Sequence, residues 1–219
     1  PMDSPFMTQM TALLVAHGLA VARFEFPYMA SRRRTGKKKP APKAETLMPV
    51  FRDAVAALPP GGPIVIGGKS MGGRVASLVA DELQAAGQIA GVVCIGYPFH
   101  PPGMPEKLRT SHLETLTTPA LIIQGERDPF GTRTEVEAMK LSSTIAVTWI
   151  GDGDHDFGPR GSSGFTRKGN LTAAADAVAA FFDNGGELCH VAWADPRERT
   201  ETALAAALDH LRAVDEPDL

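Results

Sequence analysis

The sequence predicts an α/β fold, a mostly parallel sheet with helices on both faces, and three observations lead there. Its short strand-like runs, such as Ile64-Val65-Ile66 and Leu121-Ile122-Ile123, are apolar throughout rather than alternating, as strands buried on both faces must be. Helix-length stretches separate these runs from one end to the other, the order of successive βαβ units. The 219 residues, 43% hydrophobic and 21% charged, exclude a disordered or fibrous chain. They suit a domain whose core needs neither metal nor disulfide.

A first helix is expected over residues 7–16, stopped by Gly18, and then a strand over 20–26 that Pro27 ends. A long basic, proline-bearing loop leads to a helix near 43–58. Pro59-Pro60-Gly61-Gly62 is a turn signal. It precedes a buried strand over 63–67 and a helix over 70–86, where Val75, Leu78, Val79 and Leu83 share one face. Strands follow over 90–95 and 120–124, then a helix over 132–141, a strand over 145–150 and a helix over 171–182. The main domain is read as residues 1–186. Residues 187–219 are read as a C-terminal helical appendage, with Leu204, Leu208 and Leu211 on one side.

The net charge is −3, whereas a dedicated nucleic-acid domain is basic. Six basic residues are concentrated in one run, Arg32, Arg33, Arg34, Lys37, Lys38 and Lys39, which leaves the rest of the surface acidic. Cys94 and Cys189 are far apart and form no C-x-x-C pair, so a zinc site or disulfide framework is not expected and a cytoplasmic location is. The charge-free stretch 4–22 contains Thr8, Gln9, Thr11 and His17 and lacks a basic start, which fits neither a signal peptide nor a membrane span. No nucleic-acid or membrane partner is expected, and a homodimer is a candidate assembly.

Gly68-Lys69-Ser70-Met71-Gly72 has the G-x-S-x-G spacing of a nucleophile elbow, and it stands between a predicted strand and a predicted helix. In such an elbow the serine occupies a strained turn with its neighbours pressed on helix and strand, which calls for glycine around it. The Met71 N–H, at the positive end of the following helix, is the candidate oxyanion donor. Gly68-Lys69-Ser70 also ends like a phosphate-binding loop. The first glycine of that pattern would be Pro63, and its loop would occupy the strand-like Ile64-Val65-Ile66, so nucleotide binding is excluded.

A serine needs a base, and the base needs an orienting acid. Asp128 follows the strand at 120–124 and His155 follows the strand at 145–150. The order Ser70, Asp128, His155 on post-strand loops is that of a hydrolase triad. Lys69, Tyr97, His100 and Phe157 are candidates for a substrate pocket. Asp152, Asp154 and Asp156 alternate like the start of a calcium loop, but positions six and twelve of that loop are Phe157 and Ser163 where glycine and glutamate are required. No metal site is expected.

With these residues placed, the chain resembles a small serine α/β-hydrolase of the dienelactone-hydrolase-related superfamily. Within it, the chain is most similar to the group of testis-expressed hydrolase-like proteins and a hydrolase-like subunit of a histone acetyltransferase complex. The resemblance is carried by Met2-Asp3-Ser4-Pro5-Phe6-Met7, by Arg23-Phe24-Glu25-Phe26-Pro27-Tyr28, and by residues 67–74, 97–103, 124–128 and 153–157. It implies the α/β-hydrolase fold, cleavage of a small-molecule carboxylic ester or thioester, and no metal or organic cofactor. It does not imply dienelactone hydrolysis, whose enzymes use cysteine where this elbow carries Ser70.

Relatives of that kind carry a strand and a His-Gly-rich turn just before the segment matching residues 2–6, and that turn supplies a second oxyanion amide. The chain begins at Pro1, so an N-terminally short domain lacking that strand is expected. His17-Gly18 is no replacement, because it follows the first helix. Loss of one oxyanion donor lowers turnover by about 10²–10³, and loss of the strand exposes its neighbour's edge. A non-catalytic hydrolase-like interaction module is therefore the alternative reading. The basic run, expected on the same side as the elbow, is a candidate for attracting an anionic substrate such as a phosphate-bearing thioester.

Overall fold

The computed structural model describes residues 2–37, 40–59 and 63–184 of the chain. Four parallel strands, β1 (Val65–Lys69), β2 (Gly91–Ile95), β3 (Ala120–Gly125) and β4 (Ile145–Ile150), lie side by side in chain order. Alternate residues of each strand feed opposite cores. Ile66, Val92, Cys94 and Ile122 point to one layer, and Val93, Ile95, Leu121 and Ile123 to the other, so every position of β2 and β3 is buried. This two-sided burial is why these strands are apolar without alternation.

The first layer is made by helices α3 (Met48–Ala56) and α4 (Met71–Ala85), which bring Phe51, Val55, Val75, Val79 and Leu83 onto the sheet. The opposite layer is made by α1 (Pro5–Ala16) and α6 (Arg167–Asn184), through Phe6, Met10, Leu171, Ala174 and Val178. The start of α1 follows from local chemistry, since Ser4 caps the Met7 N–H and Pro5 occupies the first turn. The expected helix near 43–58 is a 3₁₀ turn (Ala44–Leu47) followed by α3, and the expected helix over 132–141 is only α5 (Arg133–Glu137). The appendage expected over 187–219 lies outside the described residues.

Two expectations are corrected. Residues 20–26 form no strand. A strand needs a neighbour to satisfy its backbone, and a groove of about 670 Å³ separates this segment from β1, lined by both. Phe24 and Phe26 still anchor the segment against Phe51, with ring centroids 5.1 and 6.4 Å away. β1 thus ends the described sheet with one edge open to the groove. The basic stretch is likewise not all loop, because Pro27–Thr35 forms α2 with Arg32, Arg33 and Arg34 in its last turn. Pro27 at its start and Gly36, left-handed at φ 69°, just past its end are the ordinary start and stop signals of a helix.

Candidate active site

β1 turns directly into α4 at Ser70, which has φ 52° and ψ −115°. A non-glycine residue held at positive φ stores strain that the surroundings must sustain. Here the sheet sustains it, since the Ser70 N–H donates to the Ile95 carbonyl at 2.9 Å. The glycines around it are not equivalent. A Cβ on Gly68 would lie 2.7 Å from the Gly72 carbonyl carbon, and one on Gly73 would lie 2.7 Å from the Gly68 oxygen and 3.1 Å from Cys94 Cα. Gly72 has open space, so Gly68 and Gly73, the second of them outside the five-residue motif, are the glycines that let helix and strand meet. Met71 is the first residue of α4, where an N–H has no partner within the helix.

Asp128 follows β3 and His155 follows β4, and the structure joins them. His155 Nδ1 lies 2.8 Å from Asp128 Oδ2, while Asp128 Oδ1 accepts from the Phe130 N–H at 2.9 Å. The carboxylate is fully buried. With both of its oxygens accepting, Nδ1 carries the proton and Nε2 is left as the basic nitrogen. The imidazole is held on two further sides. Phe130 packs over it with centroids 4.5 Å apart, and Gly96, left-handed at φ 59°, leaves room where a Cβ would come within 3.3 Å of the ring.

Lys69 ties the His155 loop to the elbow. Its Nζ donates to the His155 carbonyl at 3.1 Å, pairs with Asp156 Oδ1 at 2.7 Å, and stands 5.0 Å from the centre of the Phe6 ring. Partial burial acts to raise the Asp156 pKa, but the Lys69 hydrogen bond and charge outweigh it and hold the carboxyl below its ordinary range. Ser70, Asp128 and His155 therefore all stand at the carboxyl ends of parallel strands, where open α/β sheets place their sites. No hydrogen bond joins the Ser70 hydroxyl to another described group.

Of the residues expected to form a pocket, Lys69 lines the groove beside Ser70. Tyr97, His100 and Phe157 do not, because all three are enclosed. The Tyr97 hydroxyl donates to the Arg109 carbonyl at 2.9 Å, and burial pushes its phenol pKa up. His100 Nδ1 lies 2.8 Å from the Pro101 carbonyl oxygen, and Phe157 meets Phe6 edge-on. They pin loops rather than face a ligand.

The three alternating aspartates diverge. Asp152 is paired with Arg127 and Arg160, Asp154 accepts from the Asp156 and Gly158 N–H groups, and Asp156 holds Lys69. Among the described residues no group of three or more His, Cys, Asp or Glu is placed to hold a metal ion. Cys94 is free and buried, its thiol pushed up to about 12 by desolvation.

A second serine–histidine contact was not read from the sequence. Ser77 Oγ donates to the Arg74 carbonyl at 2.8 Å and lies 2.9 Å from His112 Nε2. Ser77 is 3% exposed in the interior of α4. His112 is held down to about 4 by burial and then by the charge of Arg74. A hydroxyl that no ligand reaches cannot serve as a nucleophile, so this pair is internal structure. Its only sequence signal is an unexceptional serine on the buried face of a helix.

With this fold and geometry, the chain belongs to the family described as alpha/beta hydrolase domain, which matches residues 1–183. Among solved structures it is similar to an alpha-beta serine hydrolase homologue from Coxiella burnetii, with 17% identity and a TM-score of 0.50 over 82% of this chain and 76% of that one. It is also similar to the esterase domain of a Rhodothermus marinus protein, with 16% identity and a TM-score of 0.51 over 82% of this chain and 79% of that one. At such identities the likeness shows the fold. No described helix is long and apolar enough to cross a membrane.

Proposed function

We propose that the protein is a serine hydrolase that cleaves a small-molecule carboxylic ester or thioester. The observation that carries this reading is the buried Asp128 bonded to His155 Nδ1, at the same sheet end as the strained Ser70. His155 Nε2 takes the Ser70 proton as Oγ attacks the acyl carbon, and the Met71 N–H receives the oxyanion. Collapse breaks the bond to the alcohol or thiol, which leaves with the proton from His155. Water then attacks the acyl-enzyme, giving its proton to the same nitrogen, and Ser70 is regenerated as the carboxylic acid departs. Asp128 keeps the imidazole in the tautomer this requires.

The dienelactone-hydrolase-related subgroup and a cytoplasmic setting belong to the same proposal, supported by the combination and order of the segments at residues 2–7, 23–28, 67–74, 97–103, 124–128 and 153–157 and by the wide spacing of Cys94 and Cys189. A second reading, an interaction module without turnover, is favoured by one observation: Ser70 and His155 share no hydrogen bond. Such bonds often tighten only when substrate is bound. A fluorophosphonate probe separates the two readings. The proposal expects one label, at Ser70, absent in Ser70→Ala, together with loss of esterase turnover by about 10³-fold or more. A folded protein that stays unlabelled would sustain the second reading.

A further inference from the structure

Among the described residues, three cations line the groove onto which Ser70 opens: Arg23, Lys69 and Arg109. Arg23 donates to the Met2 carbonyl at 2.9 Å, and Lys69 is paired with Asp156. The Arg109 guanidinium has neither a hydrogen bond nor an ion pair among the described residues, although the residue is half-buried. Its backbone is firmly placed, with its N–H on the Phe99 carbonyl at 2.8 Å and its own carbonyl under the Tyr97 hydroxyl.

The surroundings make that lone charge costly. Partial desolvation and the neighbouring Arg74 both act to lower the Arg109 pKa. Arg74 is already paired with Glu45 at 3.2 Å, so the Glu45 carboxylate is engaged elsewhere. Glu25, the one carboxylate lining the groove among the described residues, is taken by Arg33 at 2.8 Å and the Met2 N–H at 3.1 Å. The first turn of α4, with its unpaired N–H groups, adds positive potential beside Ser70. A partly desolvated guanidinium with five donors and no acceptor is matched by a planar or tetrahedral oxyanion.

We infer that Arg109 is a substrate-binding residue that takes a carboxylate or phosphate group of the ester or thioester, so that the preferred substrates are anionic. This rests on the hydrolase reading and deepens it. The anion can belong to the acyl part or to the leaving group, and the same guanidinium would serve either.

The test compares esters of equal length: the 4-methylumbelliferyl monoester of adipic acid, with a carboxylate on the acyl side, 4-methylumbelliferyl hexanoate, which is neutral, and 3-carboxyphenyl hexanoate, with a carboxylate on the leaving group. The ratio of kcat/KM for the better anionic ester to that for the neutral one should fall by about 10-fold to 100-fold in Arg109→Gln, the range of a charged hydrogen bond. Arg109→Lys should recover part of it. The second readout needs no turnover. Adipate added to the parent protein should shift the Arg109 Nε–H resonance saturably. A ratio indifferent to Arg109 while all esters turn over overturns the inference and leaves the hydrolase reading standing. A saturable shift in a protein that cleaves none of the esters keeps the anion site and removes the hydrolase reading. Absence of the shift with adipate, together with an unchanged ratio, overturns the site.

Discussion

Lys69 Nζ reaches the carbonyl of His155 at 3.1 Å, so the residue next to Ser70 in sequence also holds the loop of the proposed base. The two positions are 86 residues apart, and the contact spans from the end of β1 to the loop after β4. A misplacement of about 1 Å at a reacting group is enough to cost about 10²-fold in rate. Lys69→Met should therefore lower kcat by about tenfold or more with a smaller change in KM, and slow Ser70 labelling. Lys69→Arg should restore part of the loss. Equal loss in kcat and KM-limited binding would show instead that Lys69 acts on substrate.

The two glycines after Met71 should respond in opposite ways. Gly73→Ala places a methyl 2.7 Å from the Gly68 oxygen, and overpacking of this kind costs about 1–3 kcal/mol. Gly72→Ala meets open space in a helix that favours alanine, and should leave stability level or slightly raised. Urea midpoints of the two variants check this directly. A tolerated Gly73→Ala would mean that α4 and β1 are not as closely apposed as described.

Ser77 and His112 predict a pH dependence whose sign is fixed. His112 is held down to about 4 in the folded protein, below the ordinary 6.5 or so of histidine. The unfolded chain therefore binds the proton first. The contribution is present above about pH 6.5 and is lost as pH falls through 6.5 towards 4. His112→Gln should flatten that part of a stability-against-pH curve. Ser77→Ala should cost about 1 kcal/mol and leave Ser70 labelling intact, whereas loss of labelling in a folded Ser77→Ala protein would reopen the question of which serine reacts.

The open edge of β1 can be read by hydrogen exchange. The Ser70 N–H points to β2, onto Ile95, and the alternation of a parallel ladder turns the N–H groups of Val65, Gly67 and Lys69 the other way, towards the groove. These amides should exchange much faster than those of β2 and β3, which have neighbours on both sides. Slow exchange there would show that a strand covers this edge in solution, and the mass of the particle would say whether a second copy supplies it.

Much of the fold was legible because it depends on local rules. The all-apolar runs marked the four paired strands to within two residues at each end, and the pattern of Val75, Val79 and Leu83 marked α4. The α2 helix was missed for a local reason as well, since its charged sequence outweighed the Pro27 and Gly36 signals that bound it. The pocket residues failed differently. Tyr97, His100 and Phe157 stand in chemically suggestive loops, yet each side chain turns inward, and side-chain direction in a loop is set by packing that no spacing encodes.

By itself the sequence determined the strand–helix order, the two-sided burial of the sheet and the glycine-flanked serine at a strand-to-helix turn. Those follow from periodicity and backbone sterics, which act between residues near in the chain. Only the tertiary structure decided that residues 20–26 pair with no described strand, that Asp128 meets His155, that Lys69 fastens the His155 loop, and that Arg109 is left without a counter-charge among the described residues. Each is a matter of which partner is available across the fold. Hydrogen bonds and charges are satisfied by whatever stands within about 3 Å in space, and distance along the chain does not say what that will be.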